Sequence, residues 1–329
     1  ATGATPFVPQ VEGIRLSGVF TMRTPDDAIA LRAYVQDRHC RSAVVVGAGF
    51  IGLEIAENLQ AQGLAVTVID AADQILPKIF DPEMAEYARR RLRQNGIRVL
   101  TGTPLSEITG TERADGVLAN GSRIGADLVV LAIGIRPATT FLNGSGLAME
   151  KGAIVVDEMM RTNIPDVYAA GDCALVRNQQ THQPQWSAMG STANITARAL
   201  ACTMTGTETP YGGCLGTGVV RLGEGFNAGR TGLTEAQARQ RAGERLEVKN
   251  VRLCVIPYRD EERLCYELTG QRDGQEQAQS QSDGKQLLHG DSSILIWRFF
   301  NHIAFDSHHI TMATVCCTFC GIYKENSIN

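Results

Sequence analysis

Short apolar runs alternate along the chain with helix-length stretches that have a period of about four residues. The first clear run covers residues 43–46, and a glycine-rich turn and a helix follow it. In that helix Ile51, Ile55 and Leu59 recur every four residues and are predicted to share one face. A second apolar run covers residues 65–69. Strand, helix and strand in this order predict a βαβ unit with buried parallel strands.

The same signals predict further elements as far as about residue 258. The predicted helices cover residues 26–38, 81–94, 191–205 and 234–242, with Asp81, Pro82 and Glu83 as N-cap, first and second helical residues. The predicted strands cover residues 97–101, 128–133, 154–156, 167–169 and 246–256, with an antiparallel meander over 107–124 and a hairpin of 217–222 with 226–228. Residues 271–286 are predicted to be loop or disorder, and no element is predicted for residues 293–300.

Composition narrows the class of protein. The chain has 329 residues, enough for two or three domains, and is 43% hydrophobic and 20% charged, as soluble globular proteins are. A net charge of −4 gives no reason to expect a nucleic acid or an anionic membrane as partner. No apolar run is long enough for a membrane span, and no signal peptide is visible. The nine cysteines, six of them scattered and three clustered near the end, form no disulfide framework and favour a cytoplasmic location. The missing initiator Met predicts a start within a longer protein.

The turn at residues 47–52 carries the strongest chemical signal. It matches G-x-G-x-x-G, follows a strand, opens a helix, and has Asp70 eighteen positions after its last glycine. Gly47 would permit the tight turn, Gly49 would let the backbone approach a pyrophosphate, and Gly52 would allow close helix–strand packing. Asp70 would bind the ribose hydroxyls and repel a 2′-phosphate, which favours NAD(H) over NADP(H). The alternative is a glycine-rich turn without a ligand.

Three separated segments carry a family resemblance. They are Ala1–Ala4, Ala132–Pro137 and Thr162–Asp172, and their order resembles the FAD-dependent pyridine nucleotide-disulfide oxidoreductases over about residues 1–255. The branch most similar comprises NADH oxidases, coenzyme A-disulfide reductases and nitrite reductases. The resemblance implies an α/β fold, with a Rossmann-like NAD domain inserted in a split, partial FAD-binding domain and followed by the start of an α+β interface domain. The implied parts are 1–25 (first FAD half), 26–148 (NAD domain), 149–208 (second FAD half), 209–258 (partial interface domain) and 259–329 (tail).

The resemblance also implies FAD and NAD(H) as cofactors and assigns residues to them. Three assignments have plain alternatives: Phe50 as a packing residue, Glu54 as a solvated charge, and Asp172 as a helix N-cap. Cys173 is interpreted as a small packing residue. The residues implied to bind cofactors are Thr2, Gly3, Gly47, Gly49, Phe50, Ile51, Gly52, Glu54, Asp70, Ile133, Gly134, Arg136, Gly171, Asp172 and Ala193, the last within a helix start that would point at the flavin.

Two features of the family are not found in this sequence. The family has an earlier G-x-G-x-x-G and, in some members, a redox cysteine before the segment that Ala1–Ala4 resembles. No catalytic residue is therefore assigned. Three functions stay open: an FAD-dependent enzyme passing hydride from NADH to a disulfide, oxygen or a redox partner; an NAD(H)-binding fragment without flavin; and a reductase of a ferredoxin-like or nitrite-reducing partner. The acceptor would be a small molecule or a protein, and the full-length family usually forms homodimers.

The last third of the chain departs from the family pattern. Residues 231–238 resemble the start of the interface domain, but the resemblance stops near Tyr258. Residues 259–329 are expected to be disordered or non-native, as a frame-shifted or misassembled end would be. Cys317 and Cys320, with His308 and His309 nearby, are spaced too closely for a zinc finger, so no metal site is predicted.

Overall fold

A computed structural model describes residues 1–222, 227–242, 247–258, 261–271 and 293–301, with side chains described as far as residue 240. The helices are α1 (Pro25–Asp37), α2 (Phe50–Ala61), α3 (Pro82–Gln94), α4 (Gly190–Met204) and α5 (Glu235–Ala242). The strands are β1 (Ala4–Pro6), β2 (Val19–Thr21), β3 (Ser42–Val46), β4 (Ala65–Ile69), β5 (Arg98–Leu100), β6 (Leu105–Gly110), β7 (Ala114–Ala119), β8 (Ser122–Gly125), β9 (Leu128–Leu131), β10 (Ile135–Pro137), β11 (Met149–Glu150), β12 (Ala153–Val155), β13 (Ala174–Arg177), β14 (Pro184–Trp186), β15 (Gly218–Arg221), β16 (Asn227–Thr231), β17 (Glu247–Tyr258), β18 (Glu261–Gln271) and β19 (Ser293–Asn301).

A five-stranded parallel sheet forms the centre of the first part of the chain. Its order is β2-β9-β3-β4-β5, and β3 pairs with β4 on one side and β9 on the other. Alternate residues of β3 face opposite layers, because Val45 packs with α2 and α3 whereas Val44 packs with the meander β6-β7-β8. This arrangement confirms the predicted α/β fold, the βαβ unit and the meander.

One residue of the predicted apolar face of α2 is not buried. Ile55 and Leu59 are 8% and 5% exposed and lie in the core, but Ile51 is 37% exposed. Leu53, in the same first turn, is fully buried, so Ile51 points away from the core at the helix start. The sequence period alone does not reveal where along a helix its buried face begins.

A second unit is built from the strands β11-β12-β13-β14 and helix α4. The predicted strand at residues 167–169 was wrong, since Tyr168 makes only an isolated bridge to Arg161. The Val167 N–H donates to the Ile164 carbonyl in a local turn, and the Ala169 N–H donates to the Met160 carbonyl beside the isolated bridge. Strands β13 and β14, which no sequence signal had predicted, pair antiparallel beside β12.

An antiparallel sheet with short and long strands, in the order β15-β16-β19-β18-β17, ends the described part of the chain. The predicted hairpin and the predicted strand near residues 246–256 are confirmed as β15 with β16 and as β17. The expectation of no element after residue 258 was wrong for β18, which forms a hairpin with β17, and for β19, which pairs with β18 and with the distant β16. The loop predicted at 271–286 and the Cys/His-rich end lie outside the described residues, apart from Gln271 at the end of β18. The domain boundaries stay a prediction.

The hairpin and α5 pack against the parallel-sheet unit. Val220, Leu222 and Ala228 share a core with α2, and Arg221 Nε lies 3.0 Å from Glu57 Oε1. Asp81 begins α3 as predicted, but its carboxylate accepts from the Glu235 N–H at 3.0 Å, at the start of α5, rather than capping its own helix. Among the described helices, none is long and apolar enough to cross a bilayer.

Candidate functional site

The glycine-rich turn between β3 and α2 adopts a backbone that its glycines make possible. Gly47 has a φ of 109°, and a Cβ there would overlap the Ala132 carbonyl oxygen. A Cβ at Gly52 would overlap the Gly47 carbonyl oxygen. At Gly49, in contrast, a Cβ would meet no atom within 4 Å. Two glycines therefore serve packing, and the middle one borders open space where a ligand can approach the backbone.

This turn lies at the carboxyl edge of the parallel sheet, where the strand order reverses. The chain proceeds from β3 outward through β4 and β5 and later returns to the other side of β3 as β9. Ile133, half-buried, and Gly134, exposed, follow β9 and lie beside the turn. Ligands of open α/β sheets bind in the crevice at such a switch point. The first N–H groups of α2, which lack intrahelical acceptors, line the same crevice.

Asp70 ends β4 and holds the turn in place. Its Oδ2 accepts from the Ala48 N–H at 2.6 Å, and its Oδ1 accepts from the Ala72 N–H at 2.8 Å. The carboxylate is half-buried, and each oxygen keeps a further lone pair for a ligand hydroxyl. The residue thus sits beside the glycine turn, as the motif predicts, and also has a structural part in shaping it.

The first turns of α2 place an aromatic ring and two carboxylates near the crevice. The half-buried Phe50 ring packs on the backbone of Gly218 in β15, where a Cβ would lie 2.5 Å from Phe50 Cζ. Packing around the exposed Glu54 raises the pKa of its carboxyl group, and the nearby Glu57 carboxylate adds to the shift. The contact with Gly218 had no signal in the sequence, because the two residues lie far apart along the chain.

A two-stranded ribbon connects this crevice to the beginning of the chain. In the ribbon, β1 pairs with β10, and Thr5 lies opposite Arg136. The Arg136 side chain is exposed and its guanidinium lies over the Phe7 ring at 4.2 Å. The Phe7 N–H donates to the Gly134 carbonyl at 2.9 Å. Arg136 is therefore near the crevice, but it is engaged with the amino-terminal segment.

The amino-terminal segment meets the segment that follows β12 at a buried thiol. Burial would raise the pKa of Cys173, but hydrogen bonds from Thr2 and Gly3, together with the positive charge of the chain's amino group, outweigh it and lower that pKa. Gly3 has a φ of 72°, and its carbonyl accepts from the Ala138 N–H at 2.9 Å. The interpretation of Cys173 as a packing residue is confirmed by its full burial. The thiol lies at the point where two segments about 170 residues apart in the sequence meet.

Gly171 and Asp172 lie in a single turn of 3₁₀ helix against the start of α4. Gly171 has a φ of 77°, and a Cβ there would lie 3.7 Å from the Ala193 Cβ. Its N–H donates to the Thr196 hydroxyl at 3.2 Å. Burial raises the pKa of the half-exposed Asp172 carboxyl. The alternative that Asp172 is an N-cap was wrong, because Ala170 precedes this turn as its cap residue.

The structure thus gathers the predicted residues into two groups joined by the ribbon. One group surrounds the glycine turn, and the other surrounds Cys173 and the start of α4. Among the described residues, no cluster of three or more His, Cys, Asp or Glu side chains is arranged to hold a metal ion. The cysteines and histidines near residue 317 lie outside the described residues.

Several known proteins are similar to this chain in sequence and in fold. The NADH oxidase of Methanocaldococcus jannaschii is 38% identical over 238 residues, which are 72% of this chain and 53% of that protein. The CoA-dependent NAD(P)H sulfur oxidoreductase of Pyrococcus furiosus is 36% identical over 239 residues, 72% of this chain and 54% of that protein. A solved NAD-dependent persulfide reductase from A. fulgidus superposes with a TM-score of 0.78 at 29% identity, covering 92% of this chain and 53% of that one.

The chain spans about half the length of the curated relatives it matches. Residues 1–197 match the family described as pyridine nucleotide-disulphide oxidoreductase. That match includes the glycine turn, Asp70 and the segments around Gly3 and Gly171, so the predicted resemblance is confirmed. The chain therefore belongs to the pyridine nucleotide-disulphide oxidoreductase family.

Proposed function

We propose that this chain is the NAD(H)-binding and part of the flavin-binding portion of an NADH-dependent, FAD-containing oxidoreductase. One observation carries the proposal: the open space beside Gly49, at the switch point of the sheet, between Asp70 and the start of α2. A bound dinucleotide pyrophosphate fits there because the helix start offers N–H donors and a positive dipole end. Ile51, exposed in the first turn of α2, would contact the bound dinucleotide.

Asp70 would determine which nicotinamide cofactor is used. Its carboxylate, already fixed by two backbone N–H groups, would accept hydrogen bonds from the ribose hydroxyls of NAD(H). A 2′-phosphate at the same place would meet a negative charge, so NADP(H) binds more weakly. Phe50, held against Gly218, would form a wall of the nicotinamide pocket, and Glu54 would lie beside it.

The residues around Cys173 fit the flavin. Gly3 and Gly171 have positive φ values and no side chains, so the backbone can approach a ligand closely there. Thr2 and Asp172 would supply polar contacts, and the first turn of α4, from Gly190 to Ala193, would direct its free N–H groups and positive dipole end toward negative charge. When bound, FAD supplies the capacity to accept hydride and to pass electrons on, and the protein positions it.

The acceptor would be a disulfide, oxygen or a redox protein. Relatives named for oxygen and for sulfur compounds support this range: an NADH oxidase, and a CoA-dependent sulfur oxidoreductase. A similar solved structure is a ferredoxin reductase from Rhodopseudomonas palustris, at 25% identity and a TM-score of 0.69. The full-length protein would act as a homodimer in the cytoplasm, where the free thiols of Cys40, Cys173, Cys202 and Cys214 would stay reduced.

The test is the colour of the purified protein and its response to NADH. A yellow protein whose flavin absorbance is bleached by NADH under anaerobic conditions supports the oxidoreductase. A colourless protein that binds NADH, as followed by the fluorescence of NADH, indicates the alternative of a nucleotide-binding fragment without flavin. A protein that binds neither cofactor contradicts the proposal. Light scattering of the eluting protein checks whether it forms a dimer.

A further inference from the structure

The hairpin β15–β16 buries a positive charge. Arg230, in β16, is 7% exposed, and burial lowers the pKa of its guanidinium to about 10, with no charged side chain in the described part of the chain to offset it. Its Nη1 and Nη2 make long hydrogen bonds of 3.4 Å to Gln237 Oε1 and the Gly216 carbonyl. Its Nε has no partner among the described residues. The register also places Arg298 of β19, not an acidic residue, opposite Arg230.

A buried charge without a counter-charge is costly, so this arrangement calls for a ligand. Its neutral partners satisfy the guanidinium only weakly, because hydrogen bonds of 3.4 Å lie beyond the usual range for N–H donors to oxygen. A guanidinium presents five N–H donors in a fixed fork that matches the oxygens of carboxylates and phosphates. An anion would therefore supply the counter-charge and the hydrogen-bond acceptors that Arg230 lacks.

A small space beside Gly216 is flanked by two hydrogen-bond donors. A Cβ built at Gly216 would lie 3.2 Å from Gln185 Nε2 and 3.6 Å from Arg230 Nη2. The orientation of the Gln185 amide is set by Asn178, whose Nδ2 donates to Gln185 Oε1 and so leaves Nε2 directed toward Gly216. The φ of Gly216 is 72°, and its missing side chain leaves the position between these two donors unfilled.

This space lies between the two groups of cofactor-site residues. Arg230 pairs with Gly218 in the hairpin, and the Phe50 ring packs on the backbone of Gly218. On the other side, Trp186 follows Gln185 in β14 and donates its indole N–H to the Asp172 carbonyl at 2.7 Å. Both neighbours are residues of the described chain that border the candidate nicotinamide and flavin positions.

We propose that Arg230, Gln185 and Gly216 form a binding site for an oxyanion, a carboxylate or phosphate group, next to the dinucleotide site. The site is additional to the one for the NAD(H) pyrophosphate, which lies at the glycine turn. Arg230 would bind the anion with Nη2 and Nε, and Gln185 would donate the third hydrogen bond.

The test titrates the full chain with inorganic phosphate and, separately, with acetate, at an ionic strength kept constant with chloride. Binding is followed by calorimetry and by the rise in melting temperature. We expect saturable binding of at least one probe, and Arg230→Met should weaken it by about tenfold or more, since it removes charge-assisted hydrogen bonds. Arg221→Met, which removes an exposed arginine from the neighbouring strand, should bind as the wild type does.

A second variant keeps the proposal falsifiable if Arg230→Met does not fold. Gly216→Ala places a methyl group in the space itself and should block binding while leaving the charge in place. Binding of only one probe supports the site and identifies its class of ligand. Absence of saturable binding of either probe overturns the proposal, as does binding of equal strength in the wild type and in both site variants.

Discussion

A methyl group should have different effects at two glycines of the turn. At Gly49 it should weaken ligand binding, and at Gly52 it should destabilise the fold. Gly49 precedes α2 with φ −85° and ψ −173°, an extended backbone that alanine adopts freely, and its Cβ would touch nothing. Gly52→Ala, in contrast, would bring a Cβ well inside the 3.0 Å that real Cβ atoms keep from their neighbours, against the Gly47 carbonyl. The two variants therefore distinguish a glycine that lets a ligand approach the backbone from a glycine that is needed for packing.

The magnitudes follow from these contacts. For Gly49→Ala, the entropy gained by restricting the unfolded chain, about 0.4–1 kcal/mol, is offset by the weaker N-cap preference of alanine, so the free energy of unfolding should barely change. The new methyl group occupies the space of the pyrophosphate and prevents at least one charge-assisted hydrogen bond of about 1.5–3 kcal/mol, a loss in NADH affinity of roughly 10- to 150-fold. Gly52→Ala should lower the free energy of unfolding by about 1–3 kcal/mol.

The assays are thermal unfolding by circular dichroism and titration with NADH followed by its fluorescence. Each variant is compared with the wild type at the same protein concentration. If Gly49→Ala binds NADH as tightly as the wild type does, the backbone at residue 49 does not approach the ligand and the proposed site is wrong. If Gly52→Ala melts with the wild type, the packing role of this glycine is refuted.

Three other side chains offer sharp tests. Asp70→Asn should weaken NADH binding about tenfold while NADPH binding is kept or improved, and an unchanged ratio of the two dissociation constants would contradict the assignment. Asp81→Ala removes the acceptor at the start of α5 and should cost about 1–3 kcal/mol in unfolding, whereas exposed Glu83→Ala in the same turn should cost far less. Burial raises the pKa of Asp172, so the folded chain holds this proton more tightly than the unfolded chain does, and that stability is lost as pH rises through the raised pKa. Asp172→Asn should therefore gain melting temperature relative to the wild type between about pH 3 and pH 7, and a difference that is constant with pH would refute this.

The prediction from sequence was strongest where structure depends on neighbouring residues. The glycine turn, the helix that follows it and the position of Asp70 within the βαβ unit could all be predicted, because glycine conformation, helix caps and apolar runs act over a few residues. The helix starting at Pro82 was predicted to within a residue for the same reason. The residues around Gly3 and Gly171 were assigned only through their resemblance to a family.

Pairing between distant segments could not be predicted. Residues 167–169 have strand-like side chains but make only an isolated bridge, whereas β19 forms a strand beside β16, which lies far earlier in the chain. A strand depends on the hydrogen-bonding groups of its neighbour, and a single sequence does not name that neighbour. This dependence also explains why the tail was expected to contain no element.

By itself, the sequence determined the nucleotide-binding turn, its carboxylate and the order of strands and helices around them, because these follow from local backbone preferences and apolar spacing. Only the tertiary structure decided that the Asp81 carboxylate caps α5, that Phe50 packs on Gly218, and that Arg230 is buried without a counter-charge. Each of these depends on side chains about 150 residues or more apart meeting, or on a layer that covers a charge. Burial and long-range contact are properties of the packed chain, and neither is encoded at any one position.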